Sequence, residues 1–139
     1  MSALDQLDRP LPPIARLVLI AEVLVLYVRV RLGWRRRPLP ELLEALRAPR
    51  RRRPPPDHPA APYRLARVAE RVTGRLPDDS RCLVSSLVLT GLLARRSVPT
   101  SLVIGVVGEA PFRAHAWVEH QGAPLLDPRT GEFERLTEL

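Results

Sequence analysis

The chain of 139 residues has room for one modest core, so we do not expect a second independent domain in it. Its hydrophobic fraction of 45% excludes a disordered chain, and its single cysteine excludes an internal disulfide. The formal net charge is +7, and all 22 basic residues are arginines. Because no secretory cleavage signature follows the first apolar run, we expect the reducing cytoplasm as the compartment.

The first predicted element is an apolar helix over Ile14–Leu32, which follows the polar, proline-interrupted stretch Met1–Pro13. Its uninterrupted apolar runs are five to six residues long. A helix that spans a membrane needs about 20 apolar residues, so a span is not expected. Apolar residues nevertheless surround nearly the whole helix. We therefore expect the rest of the domain, a partner or a membrane surface to cover it.

Arginine clusters and a proline-rich segment follow this helix. Glu41–Ala48 is predicted to be a short helix, and Pro49–Pro62 is predicted to be a linker because it is rich in proline and charge and has no periodicity. The clusters Arg35–Arg37 and Arg50–Arg53 reflect either the codon bias of a GC-rich genome or attraction of an acidic partner. No nucleic-acid partner is expected, since no helix-turn-helix, zinc-ligand or aromatic RNA-binding motif accompanies them.

The linker divides the chain into an N-terminal helical region, residues 1–62, and a core that carries the chemistry, residues 63–139. Tyr63–Arg75 is predicted to be the first helix of this core and Arg81–Arg95 the second. Leucines and valines cover a wide face of the second helix. This pattern predicts that the second helix lies in the centre of the domain.

The only cysteine, Cys82, falls in the first turn of that second helix, with Asp79 or Ser80 as the predicted cap. A helix N-terminus stabilises a thiolate through its free N–H groups and its partial positive charge. The same N–H groups can hold an oxyanion. A cysteine at this position is therefore a candidate nucleophile, although a lone cysteine is more often a small core residue.

Three apolar or alternating segments after the helix predict strands, over Thr100–Val107, Ala114–Glu119 and Pro124–Asp127. Short connections between them favour antiparallel pairing. Helices followed by an antiparallel sheet, with the helix of Cys82 packed on that sheet, define an α+β fold.

Cys82, His115 and Asp127 occur in the order and on the elements that suit a thiol hydrolase or acyltransferase. The cysteine supplies the nucleophile, the imidazole removes its proton, and the aspartate fixes the tautomer and orientation of the ring. Each residue alone also has an ordinary structural explanation. The combination makes the catalytic interpretation the stronger one.

Several motifs carry a family resemblance: Cys82-Leu83-x-x-Ser86-Leu87-x-Leu89, Ile104-Gly105-Val106 and, most specifically, Ala114-His115-Ala116-Trp117-Val118-Glu119. They resemble the lasso peptide biosynthesis B2 proteins, which are transglutaminase-like cysteine proteases related to the C-terminal processing domain of the microcin J25 maturation protease. The resemblance implies a papain-like core. It also implies that Cys82 is the nucleophile, His115 the base and Asp127 the third member of the triad.

The resemblance further implies a leader peptidase, which removes the leader of a ribosomally made precursor peptide before a separate asparagine-synthetase-like cyclase closes the macrolactam. This chain has no room for the fused PqqD-like recognition domain, so a separate B1 protein is the implied partner. No metal and no organic cofactor is implied. Ser80-Arg81 precedes Cys82 where a papain-type glutamine would stand, which leaves backbone N–H groups as the expected oxyanion donors.

Two alternatives to the leader peptidase stay open at this point. One is a transglutaminase-type acyltransferase, in which an amine replaces water as the acceptor. The other is a non-catalytic adaptor, whose arginines hold an acidic peptide or protein and whose Cys82 is an ordinary core residue.

Overall fold

The computed structural model describes residues 12–57, 59–75, 81–107, 113–125 and 134–139. Its elements in chain order are α1 (Pro13–Arg36), α2 (Leu39–Arg47), α3 (Ala61–Thr73), α4 (Arg81–Ala94), β1 (Ser101–Val107), β2 (Arg113–His120), β3 (Ala123–Pro124) and β4 (Glu134–Glu138). No helix in these residue ranges is both long and apolar enough to cross a membrane.

All four predicted helices are confirmed, with small shifts at their ends. α1 begins with Pro13 in its first turn, where a proline has no hydrogen bond to lose. It runs four residues past the predicted end at Leu32, because the sequence holds no proline until Pro38, and Gly33 alone does not stop a helix. Pro38 then caps α2.

The sheet has the strand order β3-β2-β1-β4, and each neighbouring pair is antiparallel. β1 and β2 pair along their whole length, from Ser101 opposite Glu119 to Val107 opposite Arg113. Helices followed by this small antiparallel sheet confirm the predicted α+β fold. Of the predicted third strand, Pro124 lies in the two-residue β3, Leu125 is described but lies beyond β3, and Leu126 and Asp127 lie outside the described residues.

The strand β4 is an addition to the sequence-based prediction. It pairs with β1, and Leu139 just beyond it exchanges two backbone hydrogen bonds with Leu102, at 2.8 and 2.7 Å. Its sequence, Glu-Arg-Leu-Thr-Glu, has one apolar residue, Leu136, which is exposed. An edge strand with charged side chains lacks the apolar alternation that makes strands recognisable.

The core is one cluster that includes residues of every helix and of strands β1 and β2. α4 lies at its centre, since it packs against α1, α2, α3 and β2, and this confirms its predicted burial. Its fully buried members include Leu87, Leu89, Leu92 and Leu93. Residues before and after position 62 share the cluster, and the predicted boundary at that position stays a prediction.

An ion pair fastens α1 to the end of α4. The guanidinium of Arg96 donates to both carboxylate oxygens of Glu22, at 3.0 and 2.8 Å, and Arg95 lies 3.6 Å from the same carboxylate. Burial disfavours the ionised form of Glu22, but the hydrogen bonds and charge of Arg96 outweigh it and lower the pKa of this carboxyl. The predicted linker joins the same region, because the N–H of Arg53 donates to the carbonyl of Arg95 at 2.7 Å.

Candidate active site

Cys82 occupies the first turn of α4, where backbone N–H groups have no partner inside the helix. Its side chain is half-buried and packs against the core cluster. Its carbonyl oxygen accepts a hydrogen bond of 2.6 Å from the hydroxyl of Ser86, one turn later. The predicted caps Asp79 and Ser80 lie outside the described residues.

Ser86 also connects α4 to the strand that carries His115. Its hydroxyl oxygen lies 3.3 Å from the carbonyl oxygen of Ala116 in β2. The chain then leaves α4 and reaches Pro99, whose carbonyl accepts a hydrogen bond of 2.9 Å from Nδ1 of His120 at the end of β2. The contact of Ser86 with Ala116 comes before the contact of Pro99 with His120 in both segments of the chain. This shared order indicates that α4 and β2 run in the same direction.

Cys82 and His115 both precede the contact between Ser86 and Ala116. Cys82 lies one helical turn before Ser86, about 6 Å along the helix axis. His115 lies one residue before Ala116, about 3 Å along the strand. Each candidate catalytic residue is therefore close in its own element to the point at which α4 and β2 are in contact.

The contact with Ser86 lies at the outer edge of β2. The carbonyl of Val118 accepts a hydrogen bond from Leu125 and so points away from β1. Backbone groups alternate in direction along a strand, so the carbonyl of Ala116 points to the same outer side. β3 pairs only with Glu119 and His120, so in the described part of the sheet β2 has no strand beside it at Ala116. Among the described residues, the start of α4 therefore lies along an edge of β2 that no other strand covers.

The imidazole of His115 belongs to the sheet face that points away from the helices. Ala116 and Val118 belong to the core cluster, and alternation assigns His115 and Trp117 to the opposite face. The two rings stack, with centroids 5.9 Å apart and an angle of 23° between planes. Gly105, the partner of His115 in β1, adds no side chain beside the imidazole. Alternation thus assigns the His115 imidazole to the face of β2 opposite the core cluster, against which Cys82 packs.

A buried carboxylate holds the tryptophan behind His115. The indole Nε1 of Trp117 donates a hydrogen bond of 2.7 Å to Glu119, and Arg135 of β4 donates to both oxygens of the same carboxylate. Glu119 is 7% exposed. Burial disfavours its ionised form, but the hydrogen bonds from Arg135 and Trp117 outweigh it and lower the pKa of Glu119.

Sequence reasoning named Trp117 and Glu119 in the motif around His115 but gave them no role, and it did not name Arg135. The alternation of His115, Trp117 and Glu119 along β2 was a usable signal, because residues two apart in a strand share a face. Arg135 had no comparable signal, since its strand was not predicted.

The remaining site prediction, Asp127, lies outside the described residues, so the Cys–His–Asp triad stays a prediction. In the described parts of the chain, no group of three or more His, Cys, Asp or Glu residues is placed to hold a metal ion.

A central helix that has a cysteine in its first turn and packs on a small antiparallel sheet is an α+β arrangement consistent with a transglutaminase-like core. The sequence pattern of the Transglutaminase-like superfamily matches residues 24–138, and the chain belongs to this superfamily. The superfamily includes cysteine proteases and acyltransferases. Comparison with curated proteins and comparison with solved structures give no match.

Proposed function

We propose that the protein is a cysteine protease that removes the leader from a ribosomally made lasso peptide precursor. The observation that carries the proposal is that Cys82 lies in the first turn of α4, and that Ser86, one turn later, contacts Ala116, the neighbour of His115 in β2. Membership of the Transglutaminase-like superfamily, which includes cysteine proteases and acyltransferases, supports a reaction in which an acyl group is transferred to the thiol. The narrower assignment to leader removal comes from the motif around His115.

The proposed reaction has two steps. The thiolate of Cys82 attacks the carbonyl carbon at the junction of leader and core, and the C–N bond of that peptide breaks as the His115 imidazolium gives its proton to the departing amine. Water then attacks the thioester, with His115 as the base, and releases the leader carboxylate and the free thiol. Asp127 is the proposed third member of the triad, and backbone N–H groups at the start of α4 are the proposed oxyanion donors.

Trp117 and Glu119 have a positioning role in this proposal. The stack on Trp117 restricts the orientations of the His115 ring, and Glu119 fixes the tryptophan through its indole N–H. Catalytic hydrogen bonds often tighten only when substrate is bound. We therefore propose that the imidazole and the thiol approach each other along the edge of β2 in the substrate complex.

The proposed substrate is a precursor peptide, delivered by a separate PqqD-like B1 protein that binds the leader. The product passes to an asparagine-synthetase-like cyclase. The proposed compartment is the cytoplasm, which keeps the Cys82 thiol reduced. The two steps written above need neither a metal ion nor an organic cofactor.

Cleavage of a lasso peptide precursor, sought among the genes that flank this one, is the direct test. The purified chain is incubated with such a peptide, with and without a PqqD-like protein from the same genes, and the products are weighed by mass spectrometry. We expect a leader acid and a free core peptide whose masses together exceed the precursor by one water. Cys82→Ala, Cys82→Ser and His115→Ala should each lose at least about 100-fold in rate, the usual scale for general acid–base groups.

His120→Ala is the matched control, because His120 lies at the other end of the same strand and should leave the rate unchanged. Added methylamine separates the two acyl-transfer functions, since a transglutaminase would release an amide in place of the acid. Full cleavage by Cys82→Ala would contradict the assignment of Cys82 as the nucleophile. Tight binding of the precursor without any cleavage, in the presence of the PqqD-like protein, would favour the adaptor.

A further inference from the structure

The helix α1 has two apolar faces, of which the protein buries only one. Leu19, Val23, Leu26 and Val30 face the core and are at most 5% exposed. A second set faces outward and is 51% to 78% exposed: Ile14, Leu17, Val18, Val25, Val28 and Leu32. We refer to these six residues as the outer face of α1.

The outer face is one continuous stripe. Its members recur three, four or seven residues apart, which is the spacing of one helix side. From Ile14 to Leu32 it extends about 27 Å along the helix. Continuous apolar surface of this extent is unusual on a monomer and marks a surface that another body covers.

The charged side chains of α1 that border the outer face are positive. Glu22 is the only acidic residue of α1, and it is held by Arg95 and Arg96 on the core side. Arg29 follows Val25 by one turn and is exposed, and the exposed residues Trp34, Arg35 and Arg36 follow the last apolar residue. The stripe is therefore bordered by arginines and by a tryptophan.

We propose that the outer face of α1 lies on an anionic lipid bilayer, with the helix axis parallel to the membrane plane. An apolar stripe bordered by arginine and tryptophan matches such a surface, because arginine side chains extend their charged ends to lipid phosphates while their stems stay with apolar groups. Charge complementarity favours the bilayer over a second copy of this chain, since pairing two outer faces would bring like charges together.

The outer face of α1 is separate from the candidate active site. α1 and β2 both pack on α4, and the outer face consists of exposed residues of α1 alone. Cys82 lies at the start of α4, whose later residue Ser86 contacts β2, and is not part of this face. The inference does not depend on the proposed activity.

Vesicle co-sedimentation of the full chain tests the inference. One vesicle preparation is phosphatidylcholine alone, and in the other a third of the lipid is phosphatidylglycerol. We expect binding to the anionic vesicles and at least about ten-fold weaker binding to the neutral ones, because each arginine near an anionic surface contributes about five-fold. Higher salt should weaken the binding, since it screens these charges.

Two surface variants locate the contact. Val25→Glu together with Val28→Glu removes apolar area from the outer face and should weaken binding to anionic vesicles at least about ten-fold. Arg29→Gln together with Arg36→Gln should also weaken it, by about ten-fold or more, without changing the apolar stripe. Leu136→Glu is the matched control for the first variant, because Leu136 is an exposed leucine on β4 and is 67% exposed.

Arg50→Gln together with Arg51→Gln is the matched control for charge, since it removes two exposed arginines outside α1. Both controls should bind at least several-fold more tightly than the corresponding α1 variants, and Cys82→Ala should bind like the parent. Absence of binding to either vesicle preparation would overturn the inference. Unchanged vesicle binding by the two α1 variants would also overturn it. The same holds if the parent is a dimer that Val25→Glu together with Val28→Glu dissociates, or if the α1 variants lose only their binding to the PqqD-like protein.

Discussion

Replacing Glu119 by glutamine tests the buried network behind His115. The amide oxygen of glutamine can still accept the hydrogen bond from Trp117, so the substitution removes mainly the charge that Arg135 contacts. Hydrogen bonds to charged groups contribute about 1.5–3 kcal/mol. Arg135 is half exposed, so solvent screening reduces the stability that its hydrogen bonds to Glu119 contribute. We therefore expect Glu119→Gln to lower the free energy of unfolding by about 1–2 kcal/mol at neutral pH.

The chain provides a matched control for this substitution. Glu138 contacts the same Arg135 at 3.6 Å but is itself 55% exposed. Exposed ion pairs contribute little, so Glu138→Gln should cost less than about 0.5 kcal/mol. Glu119→Leu, in contrast, leaves the buried indole N–H of Trp117 without its acceptor and should cost about 3 kcal/mol.

The cost of Glu119→Gln should depend on pH in a defined direction. The pKa of Glu119 is lower in the folded protein than its ordinary value of 4.5, because hydrogen bonds from Arg135 and Trp117 outweigh burial. The ionised carboxylate therefore stabilises the fold fully at pH values above 4.5. This contribution is lost as the pH falls from that value through the lower folded pKa, and the difference between parent and variant should close.

Urea unfolding of the parent, Glu119→Gln and Glu138→Gln at neutral and acidic pH measures these differences. Equal stability losses for the two glutamine variants at neutral pH would refute the reasoning. A Glu119→Gln deficit that stays constant on acidification would refute it as well.

Two further predictions concern the helices. Glu22→Gln should cost about 1–2 kcal/mol at neutral pH, since it leaves the mostly buried Arg96 without its carboxylate. The pKa of Glu22 is lowered, so urea unfolding should show this deficit closing below pH 4.5, while Glu44→Gln on an exposed site changes little. Gly91→Val should cost about 1–3 kcal/mol, because a Cβ there lies 3.0 and 3.1 Å from leucine side chains of α1 and α2. Gly91→Ala should cost less than the valine in thermal unfolding, because alanine gains about 1 kcal/mol of helix propensity.

The sequence was sufficient to predict the helices and the pairing of β1 with β2. Both depend on short-range periodicity: leucines and valines at helical spacing over α4, and alternation over β2. Cys82 could be placed in the first turn of its helix for the same reason. Periodicity also showed that apolar residues surround α1, although it could not decide which side the protein buries.

The parts that were missed depend on contacts distant in sequence. β4 joins the sheet through backbone hydrogen bonds, to which its charged side chains give no clue. Arg135 reaches Glu119 only because β4 pairs with β1 beside β2. The edge contact between Ser86 and Ala116 likewise requires the relative direction of α4 and β2, which no local pattern encodes.

The most direct test of the central claim is the rate at which iodoacetamide alkylates Cys82 in the folded protein. The claim is that His115 activates this thiol, and only an ionised thiol reacts readily. We predict rapid labelling of the parent at neutral pH, at least about ten-fold slower labelling of His115→Ala, and parental labelling of His120→Ala. Equal rates for all three proteins, or labelling of the parent only in denaturant, would contradict the account and leave Cys82 as a core residue.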